Sequence, residues 1–546
     1  LNLDQINSAA IGGTTAVILS KSSTTARLMV MPGTPGGTVT VSTPTTTASS
    51  VSSFTVSNTP HPYIQQGAKF TNSSASAQQG QSVAVSADGN TAIIGGPGDN
   101  SNTGAAWIYV RTGTAWSQQA KLVGSGAVGA ARQGISVAIS ADGNTAVVGG
   151  SSDNSSDGAV WVFARTGTDW AQQGNKLVGA GGTSGAQQGT AVAISSDGNK
   201  IASGAIADNL FVGAVWVFER NGSTWAQSGE KLTPSDGIEK PRLGVSVSLS
   251  ADGSRLLAGG YLDNVRQGAA WIFDDTGCGM TQSGPKLVGT GGNVSAWQGY
   301  SVSLSADGNT AMVGGCNDNN LAGAAWIFTN NGSSWTQQVR LMGGGATGSA
   351  RQGSAVALSA DGNTAISAGF TDDSGKGAFW VYKKAVGGTW VQQDAKVRGT
   401  NASGASRQGT SVAVSSNGHT ALVGGPVDAS NAGAFWVFIP GTLLQSDDSG
   451  NRQTPEEEMA AGGFSLEQNI PNPTAGATVI PFNLPEDCVA EWEITDVSGR
   501  VIQFIRREYP AGPNSESFDM SQYSGMYYYR LKTPFGCLSK SMLIVR

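Results

Sequence analysis

The stretch Ser82-Val-Ala-Val-Ser-Ala-Asp-Gly-Asn-Thr-Ala-Ile-Ile-Gly-Gly96 decides the fold, because the chain repeats it. SVAISADGNTAVVGG runs from Ser136 and SVSLSADGNTAMVGG from Ser301, and degenerate copies begin at Ala191, Ser246, Ala355 and Ser411. The seven starts lie 54 to 56 residues apart, too even a spacing for independent domains. In the second copy Val137 and Ile139 alternate as a half-buried strand. Asp142-Gly143-Asn144 is a hairpin turn in which Gly supplies positive φ and Asp bonds the amides ahead of it. Thr145–Gly149 returns as a second strand, and after the loop SSDNSSD a third runs over Gly158–Phe163. A Thr-Gly turn leads to a fourth, Trp170–Leu177. Four strands joined by hairpins make one blade, and a period of this length points to a β-propeller or a solenoid.

The ends of the array favour the closed ring. The last copy stops after its third strand, Phe435–Phe438, with no W-x-Q-Q-x-K-L segment behind it. That segment stands at the other end instead, as Tyr63–Phe70, ahead of the first full copy. An N-terminal strand that completes the last blade removes two open sheet edges. Trp recurs on the third strand of every copy (Trp107, Trp161, Trp216, Trp271, Trp326, Trp380, Trp436) and opens the fourth at Trp116, Trp170, Trp225, Trp335 and Trp390. These rings are read as core between blades rather than as a ligand ladder.

Composition bounds the function. The 546 residues exceed a single compact core. The 78 Gly and only 13% charged residues suit tight turns between short strands. A net charge of -6 without a basic patch argues against nucleic acid or an anionic membrane as partner, and no apolar run is long enough to span a bilayer. The start at Leu1, with neither Met nor signal peptide, is expected of a processed or partial chain.

The pattern Q-G-x-S-V-A-x-S-x-D-G-N…G-G…G-A-x-W-V-F resembles the FG-GAP repeat family, whose blades build the integrin α propeller and those of many bacterial surface proteins. In integrin-type blades the first hairpin often carries a D-x-D-x-D-G calcium loop. Here it is cut to a single carboxylate at Asp88, Asp142, Asp197, Asp252, Asp307 and Asp361, with Asn417 in the last copy. Calcium takes six or more oxygens, so these hairpins are read as turns, and no metal or cofactor is expected.

Residues 1–58 are rich in Thr, Ser and Val, with strands expected over Gly37–Ser42 and Val51–Val56. They resemble the later strands of an IPT/TIG domain, an immunoglobulin-like sandwich. Residues 442–462 are polar and acidic and read as a linker. Beyond them, Leu466-Glu-Gln-Asn-Ile-Pro-Asn-Pro473, the Asp496…Gly-Arg500 turn and Gly525-Met-Tyr-Tyr-Tyr-Arg-Leu531 resemble the type A C-terminal sorting domain of the type IX secretion system of Bacteroidota. Ser541 stands where a second Lys is common in that family. The resemblance implies export through the outer membrane by the type IX machinery acting on residues 463–546, and an extracellular or surface location.

The expected chain is therefore all-β: a partial N-terminal Ig-like sandwich (1–58), a seven-bladed propeller (59–441), the linker, and a C-terminal β-sandwich (463–546). Cys488 and Cys537 each precede an expected strand, and an oxidising destination favours a disulfide between them.

No catalytic signature emerges. His61 lies before the closing strand and His419 in the last hairpin, neither with a nucleophile or ligand set beside it. Cys278 and Cys316 fall in loops on opposite faces of a propeller. The candidate site is instead a ring. After each G-G pair an Asp stands at one fixed position: Asp99, Asp153, Asp208, Asp263, Asp318, Asp372 and Asp428. The loop entering the next blade carries Arg132, Arg242, Trp297, Arg351 and Arg407, with Gln78 and Gln187 in the other two copies. Either each Asp caps its own loop or pairs with a neighbouring Arg, or the two sets form a polar, partly aromatic mouth for a glycan or protein loop. The expected function is that of a non-enzymatic secreted or surface adhesion protein. The alternatives are an ancillary domain of a larger secreted hydrolase, with catalysis upstream of Leu1, and a structural coat protein.

Overall fold

The computed structural model describes residues 8–11, 14–21, 26–29, 37–43, 47–54, 63–71, 76–277, 279–385, 388–393, 395–440, 465–466, 476–496, 501–523 and 525–544. The acidic linker 442–462, His61, Cys278, residues 467–473 and the turn ending at Arg500 lie outside them. The chain divides into two compact units, Leu1–Leu443 and Leu444–Arg546.

Seven four-stranded antiparallel sheets follow the repeat. Blade 1 is the meander Ser82–Val85, Thr91–Gly96, Ala105–Thr112 and Ala115–Leu122. Blades 2 to 6 open at Ser136–Ile139, Gln188–Ile194, Val247–Leu249, Gln298–Leu304 and Ala355–Leu358. Blade 7 takes three strands from the end of the array and its fourth, Tyr63–Gln65, from the beginning. Phe438 pairs with Gln65 and Pro440 with Tyr63, and a further bridge joins Phe70 to Phe435. The segment sought at the N-terminus thus closes the ring.

A circle of seven backbone hydrogen bonds records the closure on the inner side. Ala87 donates to Ala141, Ala141 to Ser196, Ser196 to Ala251, Ala251 to Ala306, Ala306 to Ala360, Ala360 to Ser416, and Ser416 back to Ala87, at 2.8–3.1 Å. First strands line the axis, where Val85, Ile139, Ile194, Leu249, Leu304, Leu358 and Val414 surround a space of about 170 Å³. The core lies between blades: Trp161 of blade 2 packs with Ile93, Ala106 and Ile108 of blade 1. All seven third-strand Trp are at most 1% exposed. Most donate their indole N–H to a carbonyl of the preceding interblade loop, as Trp216 does to Ala180 at 2.8 Å. The Gly of G-A-x-W is required twice over. Gly268 sits at φ +78°, and a Cβ there would come within 2.1 Å of the Gln298 carbonyl oxygen of the next blade.

In the N-terminal segment the five strands join one antiparallel sheet in the order Ala26–Met29, Thr14–Lys21, Ser8–Ile11, Gly37–Ser42, Thr47–Phe54. The C-terminal unit holds two sheets. One joins Ser465–Leu466, Ala477–Leu484 and Gly512–Asp519, and the other runs Val501–Tyr509, Cys488–Asp496, Gly525–Thr533, Gly536–Ile544. They share a core of Phe482, Trp492, Phe518, Tyr529 and Leu531.

The disulfide expected between Cys488 and Cys537 does not form. Glu491 pairs with Lys532, which pairs in turn with Cys537, so a whole strand separates the two cysteine strands. Two strand spacings come to about 9.6 Å, and Cys488 lies three residues further along. A bridge needs Cα atoms within about 7 Å. Cys488 is a buried free thiol.

Candidate functional site

The seven aspartates occupy one structural position, and it is an interior one. Each is 0–2% exposed. In blade 3, Oδ2 of Asp208 meets Nζ of Lys231 at 2.7 Å, while Oδ1 accepts the N–H of Thr183 in the incoming loop at 2.8 Å. The cation belongs to the K of W-x-Q-Q-x-K-L. Lys121, Lys176, Lys286 and Lys396 pair in the same way with Asp99, Asp153, Asp263 and Asp372. Arg340 pairs with Asp318, and Lys69 of the closing segment with Asp428. The expectation that Asp99, Asp153, Asp208, Asp263, Asp318, Asp372 and Asp428 face a ligand is therefore corrected. Each carboxylate ties three stretches of chain together, and none pairs with Arg132, Arg242, Arg351 or Arg407, although Arg398, earlier in the loop that enters blade 7, joins Lys396 on Asp372 at 3.2 Å.

The turn that each Asp begins was missed from sequence. Asn100 and Ser101 have φ of 46° and 55°, and Asn102 follows at 67°. The same left-handed turn recurs in all seven blades, even where Val265 must adopt φ 56°. For L-residues such backbone costs about 1–2 kcal/mol per residue. The buried ion pair and the bond from the Gly104 N–H to the Asp99 carbonyl (2.9 Å) hold it. The repeated Asp-Asn was the available signal, since Asn tolerates this region best.

The entering loops share one backbone form. Gln78, Arg132, Gln187, Arg242, Trp297, Arg351 and Arg407 all take left-handed backbone, with φ between 54° and 62°. Bonds to the preceding blade hold them there, as when Arg132 N–H donates to the Asn102 carbonyl at 2.9 Å. Each lies one to five residues before an innermost strand. None of the four arginines makes an ion pair among the described residues.

Around Trp297 the side chains of three blades converge. Its ring lies 5.4 Å from Tyr261 of blade 4 and 6.3 Å, nearly parallel, from Tyr300. The Arg351 guanidinium of blade 6 stands 6.0 Å from it. Arg242 donates to the Tyr261 hydroxyl at 3.0 Å and lies 4.8 Å from Phe211. Arg407 stands apart from this cluster, over Phe370. Burial, aided by Cys316 and Tyr261 and opposed by Arg351, pushes the Tyr300 phenol up to about 12. Burial likewise raises the Cys316 thiol to about 12 against the pull of Arg351, leaving it a poor nucleophile at neutral pH. Two buried donors here, Arg242 Nε and Trp297 Nε1, have no partner, and neither has Arg132 Nε in the loop entering blade 2. Tyr261, Cys316 and Phe370 all occupy the variable position directly after the second residue of the G-G pair, which is how they escaped notice.

On the opposite face the D-G-N hairpins are self-contained. Asp142 accepts from Ser140 Oγ at 2.5 Å, from Asn144 N–H at 3.0 Å and from Asn144 Nδ2 at 2.9 Å. Burial works against its ionised form, but these bonds and the charge of Arg165 outweigh it and hold the carboxyl below the usual range. Asp197, Asp252, Asp307 and Asp361 are held down in the same manner. A carboxyl depressed in the folded state contributes stability that is full above its unfolded pKa, about 3.9, and is lost as pH falls through the folded value. The urea midpoint is therefore expected to hold from pH 7 to about pH 5 and to fall steeply below about pH 4. In Asp142→Asn/Asp197→Asn the fall should be shallower. An identical profile in the variant counts against this origin.

Among the described residues no group of three or more His, Cys, Asp and Glu is placed to hold a metal ion, and no helix is long and apolar enough to cross a membrane. No family model and no curated protein matches the chain. Among solved structures it is similar to hydrazine synthase of Kuenenia stuttgartiensis, at 14% identity over 66% of this chain and 96% of that one, with a TM-score of 0.42. It is also similar to the WD40 repeats of RRP9, at 9% identity over 69% of this chain and all of that one, with a TM-score of 0.45. Likeness at this level carries no function; the propeller rests on its own strand pairing.

Proposed function

We propose that the chain is a secreted or cell-surface binding protein whose propeller recognises an acidic extracellular glycan or protein loop at the mouth built by the entering loops. The observation that carries this reading is the cluster around Trp297, where Arg242 and Arg351 make no ion pair among the described residues and Arg242 Nε and Trp297 Nε1 have no partner. A buried N–H without a partner costs about 1–3 kcal/mol, and strained backbone repeated at one surface position is a mark of function. Guanidinium groups recognise carboxylate or sulfate in two-pronged fashion, and an indole offers a flat face to a sugar ring. The FG-GAP-like repeat and the IPT/TIG-like N-terminal segment fit a surface protein. The sorting-domain-like C-terminal unit supports export by the type IX machinery.

Trp297→Ala and Arg351→Ala are each expected to weaken binding to acidic glycans on an array at least ten-fold, and Arg407→Ala to a smaller degree. Asn90→Ala, on the hairpin face, should leave binding unchanged. Equal binding by all the variants, or no preference for acidic over neutral glycans, would remove the basis for this site.

A further inference from the structure

Outside the mouth, the seven interblade slots differ in what fills them beneath the outermost strand. In three blades the Trp that opens the outermost strand donates its indole N–H to a Gln of the preceding blade: Trp116 to Gln66 at 3.1 Å, Trp170 to Gln119 at 2.9 Å and Trp225 to Gln173 at 2.7 Å. An Arg of the third strand, Arg111, Arg165 or Arg220, lies over the same ring at 5.5–5.6 Å. Carboxamide and guanidinium together fill the space between the two outer strands.

Between blades 4 and 5 both fillers are shortened. Ser283 stands at the Gln position and Asn330 at the Arg position, yet Trp335 is kept. The Ser283 hydroxyl is engaged with Asp274, and the Trp335 indole N–H has no acceptor among the described residues, nor has the buried N–H of Trp390 one blade on, where Gln338 is kept. One blade earlier, where Ser228 replaces Gln, the Trp is replaced as well, by Met280, so no N–H is stranded there. The shortened pair leaves a cleft of about 470 Å³ lined by Ser283, Asn330, Ser333, Ser334, Trp335 and Gln337 among others. That volume lies within the range of small-molecule sites. Arg255 borders it, 5.7 Å from the Trp335 ring and fixed by Asp274 at 2.6 and 3.0 Å.

We propose that this cleft is a subsite for the acetamido group of an N-acetylated sugar. The chemistry is read from the repeat itself. In three slots a side-chain carboxamide oxygen accepts from the Trp, and an acetamido group presents the same carbonyl on the same planar unit. Its sugar ring lies along the indole, with hydroxyls beside Asn330, Ser333 and Ser334. This site is independent of the mouth at Trp297.

The test is calorimetric titration of the full chain with N,N′-diacetylchitobiose, with cellobiose as the control that lacks acetamido groups. Binding of the first is expected, with cellobiose at least ten-fold weaker. Ser283→Gln restores the internal carboxamide and should abolish binding while the thermal midpoint stays equal or rises, which separates occupation of the slot from misfolding. Trp335→Phe should weaken binding at least ten-fold, and Trp297→Ala should leave it unchanged. No binding of the acetylated disaccharide, equal binding of cellobiose, or indifference to Ser283→Gln would overturn the proposal. So would equally tight, Ser283→Gln-sensitive binding of an N-acetyl dipeptide amide, which would reassign the slot to peptide.

Discussion

Asp208→Ala is expected to lower the unfolding free energy by about 3–5 kcal/mol, the usual cost of removing one partner from a buried ion pair. The carboxylate is fully buried and its partner Lys231 is 23% exposed. Truncation strands the Lys231 ammonium beside the Trp216 ring, 5.9 Å away. It also strands the Thr183 N–H, which donates to Asp208 Oδ1, and it releases the left-handed turn through Asn209, Leu210 and Phe211 that the Asp anchors. Lys231→Met should cost less than Asp208→Ala, because a flexible apolar chain can lie on the Trp and the turn amide keeps its acceptor. As a contrast, Lys376→Ala breaks an exposed pair with Asp373 (54% and 33% exposed) and should cost under about 1 kcal/mol. Urea unfolding of the three variants checks the order. If Asp208→Ala unfolds at the wild-type midpoint, the aspartates do not hold the loops.

The architecture was legible because period, hairpin residues and missing strand all spoke of one thing, a closed ring. Each rests on backbone geometry that a sequence must obey locally: alternation for strands, D-G-N for the turn, a displaced W-x-Q-Q-x-K-L for closure. What the aspartates do was not legible, although half of the answer was on the page. One Lys or Arg per fourth strand matches one Asp per loop, but only the fold brings Lys231 to Asp208 across 23 residues. The mouth was half legible. Arg351 and Trp297 stood out as large groups before a Gly, whereas Tyr261 and Cys316 sit at a position that also holds Pro97 and Ser151 and so shows no pattern. The failed disulfide has the same cause. Strand starts can be read along the chain, but which strands lie side by side cannot, and the strand Gly525–Thr533 intervenes.

The segment that closes the ring carries the last large effect. Lys69 meets Asp428 at 2.5 Å in blade 7, and Gln66 accepts the Trp116 N–H of blade 1. Gln65 accepts the Thr400 N–H at 2.6 Å. Phe70 stacks on Phe435 at 4.9 Å and meets the edge of Tyr109 at 5.8 Å. Eight residues therefore join the first and last blades and cover the outer edge of Ala434–Pro440. Lys69→Ala is expected to cost about 3 kcal/mol by leaving Asp428 buried without its cation. Adding Phe70→Ala should cost more, though less than the 3–5 kcal/mol of a fully buried Phe, since this ring is only half-buried. The two residues are neighbours, so their effects need not add. The double variant should also change in kind. An uncovered strand edge is a template for pairing with another chain, so concentration-dependent association should appear in size-exclusion chromatography, whereas Asp208→Ala at equal stability loss stays monomeric. If the double variant stays monomeric with an unshifted midpoint, the ring does not depend on this strand for its closure.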